Sequence, residues 1–254
     1  MVENPKQALA EFLGTLLLVF FGVGSAIAAL VEGGVVVVAL SFAFIMLVLA
    51  YAFGPLSGSH LNPAVTLGVL LSGKITMPGA VAYWVAQLVG SAVAAFLLWV
   101  LVHWGGVVDQ TGALGANGYG QNINLGGTML LETVITFLFV LVVLVVTTRS
   151  EYAGFSGLAM GIALGVANLV GLTLDGASVN PARSFGPALF SGTHALAQLW
   201  VFILFPLLGG LLAALVAPVI LGTGENIRHG PHDEPSGRRA VGPTPPPLPD
   251  YPPT

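Results

Sequence analysis

The tripeptide Asn-Pro-Ala occurs twice in this chain, at residues 62–64 and 180–182, and each copy opens a short apolar run. Asn is a strong N-cap and Pro is favoured at the first position of a helix, so each copy predicts a helix start. The runs NPAVTLGVLL and NPARSFGPALF predict half-helices of roughly ten residues, which reach about halfway through a hydrocarbon core of about 30 Å. The motif residues are Asn62, Pro63, Ala64, Asn180, Pro181 and Ala182.

Two such helix starts that meet would offer hydrogen-bond donors and positive potential at one point. If each Asn oxygen accepts from the backbone N–H of Val65 or Arg183, the amide NH2 is left facing the lumen as a donor. Each half-helix also directs the positive end of its dipole, worth about half an elementary charge, at the same spot. This arrangement favours a polar neutral molecule and repels a cation.

Arg183 follows the second motif directly. An Arg inside a membrane costs about 2.5 to 3.5 kcal/mol on insertion scales, so its presence favours a functional role at the lumen. The alternative is an interfacial side chain that extends to the membrane surface.

Three further polar residues are candidates for the support of the non-helical loops that precede the two Asn-Pro-Ala motifs: Glu11, Glu132 and His60. Glu11 is predicted to accept N–H bonds from the loop before the first motif, and Glu132 from the loop before the second. Buried carboxylates are also candidates for proton relay or acid–base chemistry, and that alternative stays open. His60, which lies beside Asn62, is predicted to support the loop, with pH sensing as its alternative.

Composition defines the class of protein. The chain has 254 residues, of which 56% are hydrophobic and 7% are charged, against about 25% charged in soluble domains. It is therefore predicted to be a polytopic protein of the lipid bilayer. It contains no Cys, no basic block and no nucleophile or His-Glu-x-x-His motif, so we expect no enzyme, metal site, cofactor or nucleic-acid partner.

Six apolar segments are long enough to be membrane crossings, at about 20 residues for each crossing. They lie near residues 8–31, 35–56, 78–103, 126–147, 154–173 and 195–221.

The sequence AEFLGTLLLVFFG at 10–22 has a counterpart in LETVITFLFVLVV at 131–143, and an Asn-Pro-Ala motif follows each after one further helix. The chain therefore reads as two repeats, at about 8–103 and 126–221. An odd number of crossings in each unit forces the second to be inverted. The half-helices then enter from opposite faces, and the loops PLSGSHL and LDGASV line a pore near the midplane.

From Gly222 the chain is polar and rich in Pro, so residues 1–221 are predicted to form the channel domain and 222–254 a disordered tail. Six of the seven basic residues fall on one side of the predicted topology, which the positive-inside rule makes cytoplasmic. Both termini are then cytoplasmic, and the pattern fits a plasma membrane. These basic residues are Lys6, Lys74, Arg149, Arg228, Arg238 and Arg239.

The paired motifs SGSHLNPAVTLG and SVNPARSFGPAL, the inverted repeat and the paired Glu residues resemble the aquaporin (major intrinsic protein) family of water and glycerol channels over about residues 8–221. The resemblance implies an all-α membrane protein with six transmembrane helices and two re-entrant half-helices in an inverted 3+3 repeat. It also implies a homotetramer with one pore in each subunit. The resemblance also implies a narrow constriction on the extracellular side of the Asn pair. The positions that match it by spacing are Phe42, Asn168, Ala177 and Arg183.

The sequence departs from the water-selective pattern at two of these positions. Water-selective relatives usually have His where this chain has Asn168, and Ala177 is smaller than the residues often found at its position. Both changes predict a wider aperture. Ser184, Ala188 and Phe202 resemble the water type, and Ile203 does not, so the family pattern is mixed.

We therefore expect a passive channel for water that also passes some small neutral solutes. The alternative is a facilitator for glycerol, urea or ammonia in which water is secondary. A different class, the ion-coupled transporter with broken helices, would need a carboxylate at the midplane, and none is expected near Asn62 or Asn180.

Overall fold

The computed structural model describes residues 4–152 and 154–222, and this part of the chain contains α-helices and no β-strand. Five of the helices are long and apolar enough to cross a membrane. A short 3-10 turn lies at Ser150–Tyr152. In chain order the helices are α1 (Pro5–Ala29), α2 (Gly34–Ser57), α3 (Pro63–Leu71), α4 (Met77–His103), α5 (Leu125–Val146), α6 (Ser156–Gly171), α7 (Pro181–Phe190) and α8 (Thr193–Leu221).

The fifth predicted crossing is shorter than the sequence indicates. Helix α6 has 16 residues, which at 1.5 Å each span about 24 Å. The chain continues from it through turns at residues 172–175. The predicted tail, with Arg228, Arg238 and Arg239, lies outside the described residues.

Local chemistry accounts for where several helices begin. Pro occupies the first helical position of α1, α3 and α7, where its missing N–H costs nothing. Thr76 and Asn124 cap α4 and α5, since their side-chain oxygens accept from the N–H of Gly79 at 3.3 Å and of Gly127 at 2.8 Å.

The helices pack as two inverted units. Helix α1 packs on α4 in the first repeat as α5 packs on α8 in the second, and α2 and α6 join the repeats. Each half-helix packs on a long helix of the other repeat, α3 on α8 and α7 on α4. Glycine allows these approaches: a Cβ added at Gly161 would lie 2.6 Å from the carbonyl oxygen of Ala43, and one added at Gly210 would lie 2.6 Å from that of Ala64.

Candidate functional site

The two half-helices begin with the same cap. Asn62 Oδ1 accepts from the N–H of Ala64 at 2.8 Å, and Asn180 Oδ1 accepts from the N–H of Ala182 at 2.9 Å and of Arg183 at 3.3 Å. The prediction that the N–H of Val65 donates to the first cap was wrong. The Pro after each Asn has no N–H, so the next residue supplies the first donor within reach.

The two Asn side chains also join the repeats. Asn62 Nδ2 donates to the carbonyl oxygen of Val179 at 2.9 Å, and Asn180 Nδ2 donates to that of Leu61 at 2.8 Å. The prediction that each whole NH2 group faces the lumen was therefore wrong. One N–H of each amide is used across the repeat boundary, and one remains as a donor.

The loops before the caps adopt the same unusual backbone. Ser59 and Leu61 have φ of 51° and 52°, and Ala177 and Val179 have φ of 49° and 56°. Residues with a side chain at positive φ cost about 1 to 3 kcal/mol each, and a β-branched residue such as Val179 is the least expected there. The surrounding structure must therefore hold both loops in place.

Glu11 lies behind the first loop and is fully buried. Its carboxylate accepts from the backbone N–H of His60 at 2.9 Å and of Leu61 at 2.6 Å. The hydroxyl of Ser57 at 2.7 Å and the amide of Gln87 at 2.8 Å also donate to it. The carboxylate thus joins α1 to the first loop and to α4.

Glu132 lies at the equivalent place in the second repeat and is also fully buried. Its carboxylate accepts from the backbone N–H of Ser178 at 2.7 Å and of Val179 at 2.9 Å. Asp175 contributes to the same loop, because its Oδ1 accepts from the N–H of Ala177 at 3.0 Å. Carboxylates thus contact the strained backbone of both loops.

His60 and Asn62 border the same narrow cavity. Nδ1 of His60 lies 3.1 Å from Thr66 Oγ1, and its ring meets that of Tyr83 edge-on at 5.1 Å between centroids. Thr66 in turn accepts from Gln87 at 3.0 Å. His60 is therefore connected to the network around Glu11.

Phe42, Asn168 and Arg183 line one narrow cavity together with Asn62 and Asn180. Its volume is about 10 Å³, the room of about one water molecule. Arg183 also borders a vestibule of about 470 Å³. The guanidinium carbon of Arg183 lies 5.5 Å from the centroid of the Phe42 ring, within the range of a cation–π contact.

Ala177 does not border this cavity. Its methyl group faces α6, where a Cβ added at Gly171 would lie 2.8 Å from it. The structure thus brings together three of the four residues predicted at the constriction, and the small size of Ala177 serves the approach of its loop to α6.

Arg183 is buried, and uncharged oxygens hold its guanidinium group. Nη1 donates to the carbonyl oxygen of Gly115 at 2.7 Å and to Asn117 Oδ1 at 3.0 Å. Nη2 donates to the carbonyl oxygen of Gly176 at 3.2 Å. Because these acceptors carry no net charge, the positive charge of Arg183 is not neutralised by them.

Residues 1–217 match the sequence profile of the family described as "Major intrinsic protein". The chain belongs to this family. Proteins of the major intrinsic protein family pass water and small solutes through a membrane channel, so the chain is an integral membrane transport protein.

Two curated relatives and one solved structure show how this member of the family compares with others. It is 40% identical over 225 residues to Aquaporin Z of Rhodopseudomonas palustris, covering 85% of this chain and 94% of the relative. It is 41% identical over 216 residues to glycerol uptake facilitator protein-like 6 of Lactiplantibacillus plantarum, covering 85% and 98%. The X-ray structure of the aquaglyceroporin from Plasmodium falciparum superposes with a TM-score of 0.74 at 23% identity, covering 85% and 96%, and shares the fold.

No feature of the sequence indicates Asn117, which lies in the connection between α4 and α5 of this family member. Its Oδ1 accepts from Arg183 and also from Ser184 Oγ at 2.8 Å, and its Nδ2 donates to the carbonyl oxygen of Asp175 at 3.2 Å. The residue is 5% exposed. An Asn in a polar connection is common, so no local signal separates this one from Asn122 or Asn124.

Proposed function

We propose that this protein is a passive transmembrane channel for water that also admits some small neutral solutes. The observation that carries the proposal is the narrow cavity lined by Asn62, Asn180 and Arg183, with two half-helix N-termini directed at it. The names of its relatives, Aquaporin Z and glycerol uptake facilitator protein-like 6, support the same function.

The motif residues act as the central donors of this channel. After capping and the bond across the repeats, each Asn keeps one N–H for a passing molecule. A molecule that accepts from these donors is oriented with its oxygen toward them, and the dipole ends reinforce that orientation. Pro63, Ala64, Pro181 and Ala182 fix the helix starts that place the two amides.

Phe42, Asn168 and Arg183 form the selectivity constriction. Phe42 supplies an apolar wall, and Arg183 supplies donors and positive charge. The small size of Asn168 and the name of one relative, glycerol uptake facilitator protein-like 6, favour the second candidate function, a facilitator for glycerol, urea or ammonia. Ala177 acts through the packing of its loop on α6.

Glu11, Glu132 and His60 act as supports of the pore loops. Both carboxylates accept backbone N–H bonds from residues at or beside positive φ, and this use of the carboxylates favours support over a proton relay or an enzymatic role. It also weighs against an ion-coupled transporter, which needs carboxylates for its coupling ion.

Lys74 and Arg149 lie at one end of the channel domain, residues 1–221, beside the end of α8. Lys74 Nζ donates to Thr148 Oγ1 at 2.5 Å, and Arg149 Nη2 lies 3.4 Å from the carbonyl oxygen of Leu221. By the positive-inside rule this end is cytoplasmic, with both termini on that side of the plasma membrane. Immunolabelling of terminal tags in intact and permeabilised cells tests the orientation.

The outward apolar faces of the long helices suit assembly as a homotetramer with one pore in each subunit. Exposed side chains such as Phe44 at 60% and Leu215 at 64% face lipid or a neighbouring subunit. Chemical cross-linking in membranes tests this assembly, which should yield bands up to the tetramer.

The channel function is tested with the full chain in proteoliposomes. Stopped-flow light scattering should show water permeability well above that of empty liposomes, with smaller glycerol permeability in the same vesicles. Ionic conductance should stay at the background of empty liposomes, because positive potential lies along the path. A proton or sodium current above that background would contradict the electrostatic part of the proposal.

A further inference from the structure

The connection between α4 and α5, residues 104–124, carries two of the oxygens that accept from Arg183. They are the carbonyl oxygen of Gly115 and Oδ1 of Asn117. This stretch is not helical, and its backbone has positive φ at Leu114 and Gly115, of 48° and 68°. Irregular backbone lacks the regular bonds of a helix, so contacts with other elements contribute to where these two acceptors lie.

Gln198 of α8 binds this connection through both ends of its side-chain amide. Oε1 accepts from the backbone N–H of Tyr119 at 2.7 Å, and Nε2 donates to the carbonyl oxygen of Tyr119 at 3.1 Å. A backbone N–H only donates and a carbonyl oxygen only accepts, so one orientation of the amide makes both bonds. Gln198 is buried, so leaving either bond unmade is costly. The two bonds form a latch between α8 and the connection.

Residues 117–119 bind α8 and the loop before α7 at neighbouring points. Asn117 Nδ2 and the N–H of Gly118 both donate to the carbonyl oxygen of Asp175, at 3.2 and 3.1 Å. Tyr119 comes next and makes the latch. Losing the latch would therefore leave this turn more weakly held at the point where Asn117 meets Arg183.

We propose that Gln198 is a positioning residue that keeps Arg183 in place by latching residues 117–119 onto α8. The connection carries the effect, so Gln198 does not need to contact Arg183. The inference rests on the proposed channel function, because Arg183 borders the narrow cavity through which molecules pass. That cavity has a volume of about 10 Å³, the room of about one water molecule, so an Arg183 side chain that moves into it interrupts the flow of water.

Gln110 offers a matched control in the same connection. Its Oε1 accepts from the N–H of Val31 at 2.8 Å, and its Nε2 donates to the carbonyl oxygen of Ala28 at 2.7 Å. Gln110 thus ties the connection to the end of α1 and the turn after it through a comparable pair of bonds. Gln110→Met removes these bonds and leaves those of Tyr119 in place.

The test compares Gln198→Met with Gln110→Met, since Met is unbranched, has a similar length and lacks the amide. Hydrogen exchange in peptides that cover residues 113–120 and stopped-flow water flux are measured on the full chain in proteoliposomes. Gln198→Met should speed this exchange about tenfold and lower water flux about threefold, because two bonds of a buried group are lost. Gln110→Met should keep the water flux of the natural sequence.

The outcomes separate this inference from the channel function. Equal losses of water flux in Gln198→Met and Gln110→Met would overturn the role of Gln198 and leave the channel function standing. A natural protein without water flux would overturn the channel function, and the inference with it.

Gln198→Glu adds a pH profile, which general loosening of the connection does not produce. A protonated carboxyl group donates and accepts as the amide does, whereas a carboxylate only accepts and would face the carbonyl oxygen of Tyr119. Water flux should therefore match that of the control at acid pH and fall reversibly, toward the level of Gln198→Met, as the carboxyl group loses its proton. A profile identical to that of the control would overturn the proposal.

The control for this profile takes account of the other titratable groups. His194 Nε2 lies 3.3 Å from Gln198 Nε2, and a histidine ring changes charge over part of the same pH range. Asp175 and Arg183 line the same vestibule as Tyr119. Gln198→Glu is therefore measured together with His194→Gln in one chain, and His194→Gln alone is the control. If Gln198→Met does not fold, this profile decides the proposal, because the acid form of Gln198→Glu keeps both bonds.

Discussion

At the starts of α3 and α7, equivalent residues make equivalent hydrogen bonds to the backbone. An Asn caps each half-helix, its Nδ2 donates to the loop of the other repeat, and a Glu accepts from the strained backbone before it. The surroundings differ. Around the first start, the side chains that also bond the Glu come from the same repeat, since Ser57 and Gln87 donate to Glu11. Around the second, the connection between α4 and α5 reaches in and holds Arg183.

This difference separates two tasks. The shared part places the donors of Asn62 and Asn180 at the junction of the repeats, and symmetry is enough for that. The constriction lies on one side of the Asn pair and needs a basic residue there only. Arg183 supplies it after the second motif, and the equivalent residue after the first motif is Val65. The asymmetric connection between the repeats is therefore what positions the constriction.

The largest effects should come from the shared part. Glu11→Ala and Glu132→Ala each leave loop N–H groups buried and unpaired, at about 1 to 3 kcal/mol for each group. We expect both variants to lose folded yield and water flux, with the greater loss for Glu11→Ala because Ser57 and Gln87 also lose their acceptor. Yield after size-exclusion chromatography and stopped-flow water flux measure this.

Gln substitutions serve as the matched controls for these two variants. Glu11→Gln and Glu132→Gln keep an acceptor oxygen and should retain more folded protein than the Ala variants. A Glu11→Ala protein that assembles normally and loses only its pH dependence would support the proton relay instead of loop support.

An intermediate effect is expected from the asymmetric part. Asn117→Ala removes one acceptor from Arg183 and from Ser184, and a hydrogen bond to a charged group is worth about 1.5 to 3 kcal/mol. With fewer bonds to hold it, Arg183 should occupy the lumen less regularly, so the ratio of glycerol to water permeability should change while the protein stays folded.

Asn122→Ala is the control for Asn117→Ala. Asn122 lies in the same connection and donates to the carbonyl oxygen of Thr173 at 2.8 Å, but it is exposed and does not contact Arg183. If both variants shift the permeability ratio equally, the effect belongs to the connection as a whole and Asn117 has no special role.

The smallest effects should separate Asn168 from Ala177. Asn168→His adds bulk inside the constriction, so water flux should persist while glycerol and urea flux falls by a few-fold. Ala177→Thr adds a β-branched side chain outside the cavity, at a residue with φ of 49°. It should therefore lower the free energy of unfolding by about 1 to 3 kcal/mol and leave the ratio of glycerol to water permeability unchanged. A narrowed solute range in Ala177→Thr would show that Ala177 borders the lumen.

The sequence by itself determined the features that depend on neighbouring residues and on repetition. Pro63 and Pro181 each begin a helix after an Asn cap, since the cap and the fixed φ of Pro act within a few residues. The apolar segments located the long helices to within a few residues. The duplication predicted that Glu11 and Glu132 are equivalent, and both do bond the loop of their own repeat.

Only the tertiary structure decided which atoms meet. The bonds from Asn62 to Val179 and from Asn180 to Leu61 join residues more than a hundred positions apart, and no local pattern specifies such a pair. The positive φ of Val179 runs against its own preference and persists because Glu132 holds its N–H. Asn117 lies against Arg183, and Ala177 lies against Gly171, because long-range packing places whole segments of the chain. The position of each side chain then depends on the backbone that carries it.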